Sequence, residues 1–305
     1  MRLDDFDNDI EVGDQRGQGG GFGFGGGGGG GGMLLRLLPF VFSRFGCGGV
    51  AVLLAVMFFF SGGLPLLSGG AGDGAGDRPV ASAPGSGGGV AEACRVDAAS
   101  KAACDAFSSA NRTWRAIFAR SGQAYDPPML QFYAGSGRSG CGAAQSAMGP
   151  FYCPGDQGIY LDTSFFDELG NRFGARGDFA QFYVMAHEFG HHVQNLTGIS
   201  AQVQRAQRRV SEREGNALSV RLELQADCYA GVWGAINRDR LDPGDVEEGL
   251  TAANAIGDDT LQRQAQGRVV PDSFTHGSSA DRIKWLKRGL ETGDPAQCDT
   301  FSGGI

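Results

Sequence analysis

Three of the four histidines in the sequence lie close together, at positions 187, 191 and 192. Two of them frame the pattern His187-Glu188-x-x-His191. Residues four apart share a face of a helix, so both imidazoles can reach one metal ion while Glu188 faces a water beside it. Zinc hydrolases use this donor set, in which a carboxylate takes the proton from the metal-activated water. The alternative is an amphipathic helix whose histidines are ordinary polar residues.

A catalytic zinc ion needs a third protein ligand, and a second carboxylate pair supplies a candidate. Glu223 and Asp227 are also four residues apart, within an otherwise apolar stretch. We expect Glu223 to be the third ligand and Asp227 to accept the second ring N–H of a ligating histidine. Glu212 and Glu214 compete for the ligand position, and two solvated carboxylates on a surface helix are the remaining alternative.

His276 is the one histidine outside this cluster. Ser278 begins a capping pattern, which places His276 in a loop just before a helix. We expect it to donate a hydrogen bond to the oxyanion of a tetrahedral intermediate, although a plain surface position is the alternative. Arg282 is expected to serve the same anion or to brace the loop. His192 follows His191 by about 100° around the helix and is predicted not to be a ligand.

Composition divides the chain into four parts. It has 305 residues, 53 of them glycine, and much of this glycine precedes residue 90. The net charge of −8, with no basic run, argues against a nucleic-acid partner. We predict a Gly-rich tail at residues 1–32, a transmembrane helix at 46–67, a flexible linker at 68–90 and one domain at 91–305.

The membrane prediction depends on an uncharged apolar run at residues 46–67. About 20 apolar residues span a bilayer, and Arg36 and Arg44 precede the run. The predicted arrangement is a single-pass protein of the bacterial cell membrane, with a cytoplasmic N-terminus and an extracytoplasmic domain. A cleaved signal peptide and a buried apolar hairpin in a cytosolic protein are the alternatives.

Six cysteines follow the apolar run. An even number in a domain expected outside the cytoplasm indicates disulfides, although free buried thiols remain an alternative. Six cysteines allow fifteen connectivities. The pairing that spacing favours is Cys94–Cys104, Cys141–Cys153 and Cys228–Cys298.

The pattern of apolar residues predicts mostly helices. We expect helices over residues 98–120, 179–196, 199–236 and 245–265, the last with a break near Gly257. A strand is expected at 129–133 and a hairpin at 149–162. Residues 159–162 are the candidate exposed strand that would hold a substrate backbone.

Long motifs in the chain resemble the bacterial putative neutral zinc metallopeptidase family, which is similar to the wider gluzincin group. The resemblance covers the start MRLDD, the glycine-rich tether, the apolar run, HEFGHHVQ at 187–194, ELQADCYAG at 223–231 and THGSS at 275–279. It implies zinc held by His187, His191 and Glu223. It also implies Glu188 as general base, with Asp227 behind a ligating histidine and His276 near the substrate.

These expectations combine into one hypothesis for fold and function. The fold class is α+β, a mostly helical zincin-like domain with a small hairpin or sheet, preceded by one transmembrane helix. The function is that of a membrane-anchored zinc endopeptidase acting on peptides or proteins, with the bilayer as a second partner through residues 46–67. The alternative is a catalytically silent zinc-binding scaffold of the cell envelope, for which Glu188 would have no use.

Overall fold

The computed structural model describes residues 1–3, 6–17 and 89–302. Its strands are β1 (Glu11–Asp14), β2 (Met129–Tyr133), β3 (Ser136–Ser139), β4 (Gly142–Gln145), β5 (Phe151–Cys153) and β6 (Gly158–Asp162). Its helices are α1 (Val90–Cys94), α2 (Ala98–Arg120), α3 (Ser164–Asn171), α4 (Asp178–Leu196), α5 (Ile199–Gln207), α6 (Glu212–Ile236), α7 (Asp245–Ala255), α8 (Asp258–Gln266) and α9 (Ser279–Thr292). Most of the helix predictions are therefore confirmed to within a residue or two.

A four-stranded sheet lies beside the helices in the order β1-β2-β6-β5. Strands β1, β2 and β6 run parallel, whereas β5 pairs with β6 antiparallel. The predicted hairpin is confirmed, but its exposed strand is β5. Strand β6 is buried along its whole length because β2 pairs with its other side. The prediction that residues 159–162 form the exposed strand is therefore wrong.

The N-terminal residues lie within the same unit as the helices. Strand β1 extends the sheet beyond β2, and Met1, Leu3 and Ile10 are buried in the core. The α-amino group of Met1 lies 3.0 Å from Asp178 Oδ1 and 2.8 Å from Asp245 Oδ2. Residues 1–17, which composition assigns to a tail, thus contribute a strand and apolar contacts to the domain.

The membrane-anchored arrangement is corrected by two findings. Across the described ranges, no helix is both long and apolar enough to cross a bilayer. The helices of 23 and 25 residues, α2 and α6, carry charged side chains along their length. Residues 46–67 lie outside the described residues. The predicted single-pass localisation also requires the N-terminus and the domain to lie on opposite sides of a membrane, whereas β1 pairs with β2 in one sheet.

The central helix of the core is α4, which packs against α2 and α6. Asp178 in its first turn favours the helix N-terminus, and Gly198, at a φ of 76°, follows its end. Gly190 permits the close approach of α6, because a Cβ there would lie 3.0 Å from Ala226 Cα. The small residue thus brings the histidines of α4 close to the carboxylates of α6.

Glycines also set the distance between α6 and α9. A Cβ at Gly289 would overlap the Cys228 carbonyl oxygen, and a Cβ at Gly231 would overlap the Leu286 carbonyl oxygen. This close packing places Arg282 of α9 within hydrogen-bonding distance of Asp227 of α6.

The three disulfides have the pairing that spacing favours, Cys94–Cys104, Cys141–Cys153 and Cys228–Cys298. The first joins α1 to α2, and the second joins the β3–β4 hairpin to β5. The third joins the middle of α6 to the segment after α9, so it fixes the C-terminal segment beside α6.

Candidate metal centre

Helix α4 presents His187 and His191 to the same side, and α6 places Glu223 opposite them. The two imidazole centroids are 4.9 Å apart. Glu223 Oε2 lies 3.1 Å from His187 Nε2, and Glu223 Oε1 lies 3.4 Å from His191 Nε2. The structure thus brings the three predicted ligands together, each histidine facing the carboxylate through Nε2.

The spacing of these donors fits a zinc ion. Tetrahedral bonds of about 2.0–2.1 Å separate neighbouring ligand atoms by about 3.3 Å. The 3.1 and 3.4 Å separations lie close to this value, and one possible ligand atom from each of the three residues falls within 4.8 Å of the others. Two imidazoles and one carboxylate are also a ligand set that catalytic zinc accepts while keeping an open position.

Glu223 is a carboxylate anion in this setting. Burial alone raises its pKa, but the adjoining His191 and His187 rings hold the pKa of Glu223 well below its ordinary value. The competing candidates Glu212 and Glu214 lie in the first turn of α6, where Glu214 forms a capping box with Ser211. They are three turns from the site and outside the ligand cluster of the described residues.

His187 is held by charged groups. Its Nδ1 lies 2.8 Å from Asp227 Oδ1, which also accepts a 2.6 Å hydrogen bond from the Tyr183 hydroxyl. Arg282 donates to both Asp227 oxygens at 2.9 Å. Burial raises the pKa of Asp227, but Arg282 and His187 reverse the shift and hold it below its ordinary value. Arg282 therefore braces Asp227, whereas the sequence suggested the substrate anion or the loop.

His191 is held by neutral amides that the sequence analysis did not identify. Its Nδ1 lies 2.9 Å from Gln194 Oε1, one turn further along α4. Gln194 Nε2 donates to Gln225 Oε1 at 3.1 Å, and Gln225 Nε2 donates to the Cys298 carbonyl at 3.0 Å. The i,i+3 spacing of His191 and Gln194 is a weak signal, because glutamines on helices are common.

Glu188 lies beside the predicted ligands in a largely buried position on the wall of the cavity. Its residue is 7% exposed, and burial raises the pKa of Glu188 while His191 and His187 oppose the shift. Within the described part of the chain, no group donates a hydrogen bond to this carboxylate. Both oxygens are therefore available to accept a proton from a water in the cavity.

His276 faces the same cavity from the loop before α9 and is paired with a carboxylate that the sequence analysis missed. Asp258, at the start of α8, accepts hydrogen bonds from the backbone N–H groups of Thr275, His276 and Gly277. Its Oδ1 lies 3.3 Å from His276 Nδ1, and this contact raises the pKa of His276. The break predicted at Gly257 marks the helix N-terminus that carries Asp258.

One cavity of about 660 Å³ joins these groups. His187, Glu188, His191, Glu223 and His276 line it together. Much of the remaining wall is apolar and comes from β5, from α3 and the segment after it, and from α4: Phe151, Tyr152, Phe165, Phe173 and Val184. Strand β5, at the edge of the sheet, therefore lines the same cavity as the candidate ligands.

His192 faces away from the ligands, towards other partners. Its Nε2 donates to the Asp126 carbonyl at 2.8 Å, so Nδ1 accepts the 3.1 Å hydrogen bond from the Tyr152 hydroxyl. Burial lowers the pKa of His192 to about 4. The ring is neutral at physiological pH and joins α4 to the segment before β2.

Comparison with known proteins places the chain in a family. The family model described as "Putative neutral zinc metallopeptidase" matches residues 1–301. The uncharacterized protein YpfJ of Escherichia coli K12 is 54% identical over 211 residues, which cover 68% of this chain and 74% of YpfJ. The uncharacterized protein Rv2575 of Mycobacterium tuberculosis H37Rv is 44% identical over 208 residues, which cover 64% of this chain and 68% of Rv2575. No solved structure matches. The chain belongs to the family of putative neutral zinc metallopeptidases.

Proposed function

We propose that the chain is a zinc-dependent endopeptidase with Glu188 as its general base. The observation that carries this proposal is the meeting of His187, His191 and Glu223 at zinc-ligand spacing in an open cavity that Glu188 also lines. A structural zinc site would not need Glu188, whose carboxylate lines the cavity and could face a water beside the zinc ion.

A zinc ion held by the three ligands would polarise a peptide carbonyl and make a neighbouring water more acidic. Glu188 accepts the proton of that water as the water attacks the carbonyl carbon. It then delivers the proton to the departing amine nitrogen. Burial raises the pKa of Glu188, which suits a group that must both take up and release a proton.

His276 is assigned to the oxyanion that develops on the carbonyl oxygen. Its Nδ1 faces Asp258, which leaves Nε2 for a substrate oxygen. The substrate backbone is assigned to the edge of β5, because an exposed strand edge pairs with an extended peptide. The apolar wall beside the edge favours peptides or proteins as substrates over small polar molecules.

The test is a comparison of the wild-type chain with Glu188→Gln on a casein-like protein and on peptides blocked at both ends. The variant keeps the shape and the zinc ligands but removes the base, so turnover should fall by roughly 10²–10⁴-fold with zinc content unchanged. Products are identified by mass spectrometry, and a chelator should abolish cleavage by the wild type.

Cleavage of the blocked peptides distinguishes an endopeptidase from an enzyme that needs a free terminus. Full activity of Glu188→Gln would remove Glu188 as the base. A wild-type chain that binds zinc and cleaves none of these substrates would favour a zinc-binding scaffold.

A further inference from the structure

A continuous line of hydrogen bonds connects the His191 ring to the backbone at the C-terminal disulfide. It runs from His191 Nδ1 to Gln194 Oε1, from Gln194 Nε2 to Gln225 Oε1 and from Gln225 Nε2 to the Cys298 carbonyl. The three steps measure 2.9, 3.1 and 3.0 Å. Gln194 Nε2 also donates to the Leu222 carbonyl at 2.7 Å.

The Cys298 carbonyl, at the end of the line, determines which atom donates and which accepts in each of these hydrogen bonds. A backbone carbonyl only accepts, so the Cys298 carbonyl must face the amide NH₂ of Gln225. This turns the Gln225 oxygen towards Gln194, whose NH₂ must then face Gln225. The Gln194 oxygen is left facing His191, so Nδ1 must carry the ring proton and Nε2 has its lone pair free.

The two amides have little freedom to adopt another arrangement. Gln194 is fully buried and Gln225 is 4% exposed. Reversing either amide would place two acceptors or two donors against each other away from water, which buried polar groups avoid. The Cys228–Cys298 disulfide joins α6 to the Cys298 segment, which keeps the last acceptor next to Gln225.

We propose that Gln194 and Gln225 form a positioning relay that fixes the His191 proton on Nδ1 and thereby presents Nε2 to zinc. The inference rests on the proposed zinc site. It assigns to Gln225, which hydrogen-bonds to no metal ligand among the described residues, an effect on zinc affinity through Gln194. Outer partners of this kind change metal affinity by about 10–100-fold when they are removed.

The experiment compares zinc affinity in full-length variants, by competition with a chromophoric chelator well below the unfolding temperature. Gln225→Met has a similar size and no hydrogen bonds, so its zinc Kd should rise roughly 10-fold. In the cobalt-loaded chain, the visible ligand-field bands should shift for Gln225→Met.

Asn237→Leu, at the residue that follows the last residue of α6, is the control. Its amide donates to Thr113 Oγ1 and to the Trp233 carbonyl, so its loss removes partly buried hydrogen bonds without touching the relay. The control should keep the wild-type zinc Kd and cobalt spectrum. An unchanged Kd for Gln225→Met, or an equal rise for Asn237→Leu, would overturn the relay.

A second measurement uses the wild type and does not depend on the folding of any variant. In nitrogen NMR spectra of the zinc-loaded chain, His191 should carry its proton on Nδ1 and bind metal through Nε2. A ring protonated on Nε2 would contradict the proposal. A wild type that binds no zinc would end both proposals, whereas zinc binding without peptide cleavage would end only the peptidase proposal.

Discussion

The two proposed histidine ligands, His187 and His191, are one helical turn apart, yet the second ring nitrogen of one faces a carboxylate and that of the other faces a neutral amide. His187 faces Asp227, a fully buried carboxylate paired with Arg282. His191 faces Gln194, a fully buried neutral amide that continues to a second amide and a backbone carbonyl. The charged half of the site, His187 with Asp227 and Arg282, thus holds its ring by an ionic contact. The neutral half, His191 with Gln194 and Gln225, holds its ring by oriented amides that carry no charge.

The number of buried charges explains why the halves differ. Glu188, Glu223 and Asp227 already place three carboxyl groups in one small volume, opposite a single guanidinium. Glu223 adds to the upward shift in the pKa of Glu188. A further carboxylate behind His191 would increase that repulsion and would itself need a partner. A neutral amide orients the ring without adding charge.

Asp227→Asn should produce the largest effect, because it removes charge from the half that depends on it. Arg282 would remain buried without its partner, which costs about 3–5 kcal/mol in the free energy of unfolding. The zinc Kd should rise about 10–100-fold as His187 loses its carboxylate. Urea unfolding of the metal-free chain and chelator competition measure the two effects.

The double variant Asp227→Asn with Arg282→Met separates the two losses. Removing the guanidinium should restore part of the stability but none of the zinc affinity, since His187 still lacks its carboxylate. If the double variant is no more stable than Asp227→Asn alone, the unpaired Arg282 is not the source of the instability. The difference between the charged and neutral halves would then be smaller than proposed.

The sequence predicts the parts of the site that local periodicity controls. His187 and His191, and likewise Glu223 and Asp227, are pairs four residues apart on helices whose bounds follow from apolar spacing. Their meeting across Gly190 and Ala226 confirms that two such helices face each other. Residue type and helical spacing were sufficient to predict these four residues, because histidines and carboxylates four apart within apolar helices are uncommon unless they bind a metal ion or each other.

Contacts between distant segments could not be predicted in the same way. Strand β1 pairs with β2 across more than a hundred residues, and the glycine-rich composition in between favours a tail for residues 1–17. Arg282 could have faced a substrate or a carboxylate, and only the packing of α9 against α6 decides. Gln194, Gln225 and Asp258 are ordinary polar residues whose roles depend on their neighbours in space.

Removing the Cys228–Cys298 disulfide tests the hydrogen-bonded line of His191, Gln194 and Gln225 at the Cys298 carbonyl, where the line ends. The double serine variant should lose about 4 kcal/mol in the free energy of unfolding, since the bond closes a loop with a sequence separation of 70. The zinc Kd should also rise, because the Cys298 carbonyl orients the relay. Denaturant unfolding and chelator competition measure both.

The Cys94–Cys104 disulfide provides the control for that experiment. Its sequence separation is only 10, so the matching double serine variant should lose about 3 kcal/mol. It has no link to His191, and the zinc Kd should stay at the wild-type value. Equal changes in Kd for the two disulfides would mean that general loosening, and not the relay, weakens the site.

His192→Gln should have the smallest effect on zinc affinity, because His192 faces away from His187 and His191, and its effect on stability should appear only at low pH. The folded pKa of His192 is about 4, against about 6.5 in the unfolded chain, because the buried ring stays neutral. Between these values the unfolded chain binds the proton and the folded chain does not. The free energy of unfolding should therefore fall by about 3 kcal/mol as the pH drops from 6.5 to 4.

Glutamine can donate to the Asp126 carbonyl and accept from Tyr152 as the neutral ring does, but it does not titrate. In the metal-free chain, the wild type should therefore lose stability relative to His192→Gln below pH 6.5, with the two nearly parallel above it. Other groups titrate in both proteins and cancel in the difference. If the free energies of unfolding of the two proteins stay parallel over the whole pH range, the folded chain does not hold His192 neutral. The zinc Kd of His192→Gln should stay at the wild-type value. If it rises as much as in Gln225→Met, losing any hydrogen-bond partner of α4 weakens zinc binding, and the distinction between the ligand and non-ligand histidines of α4 is lost.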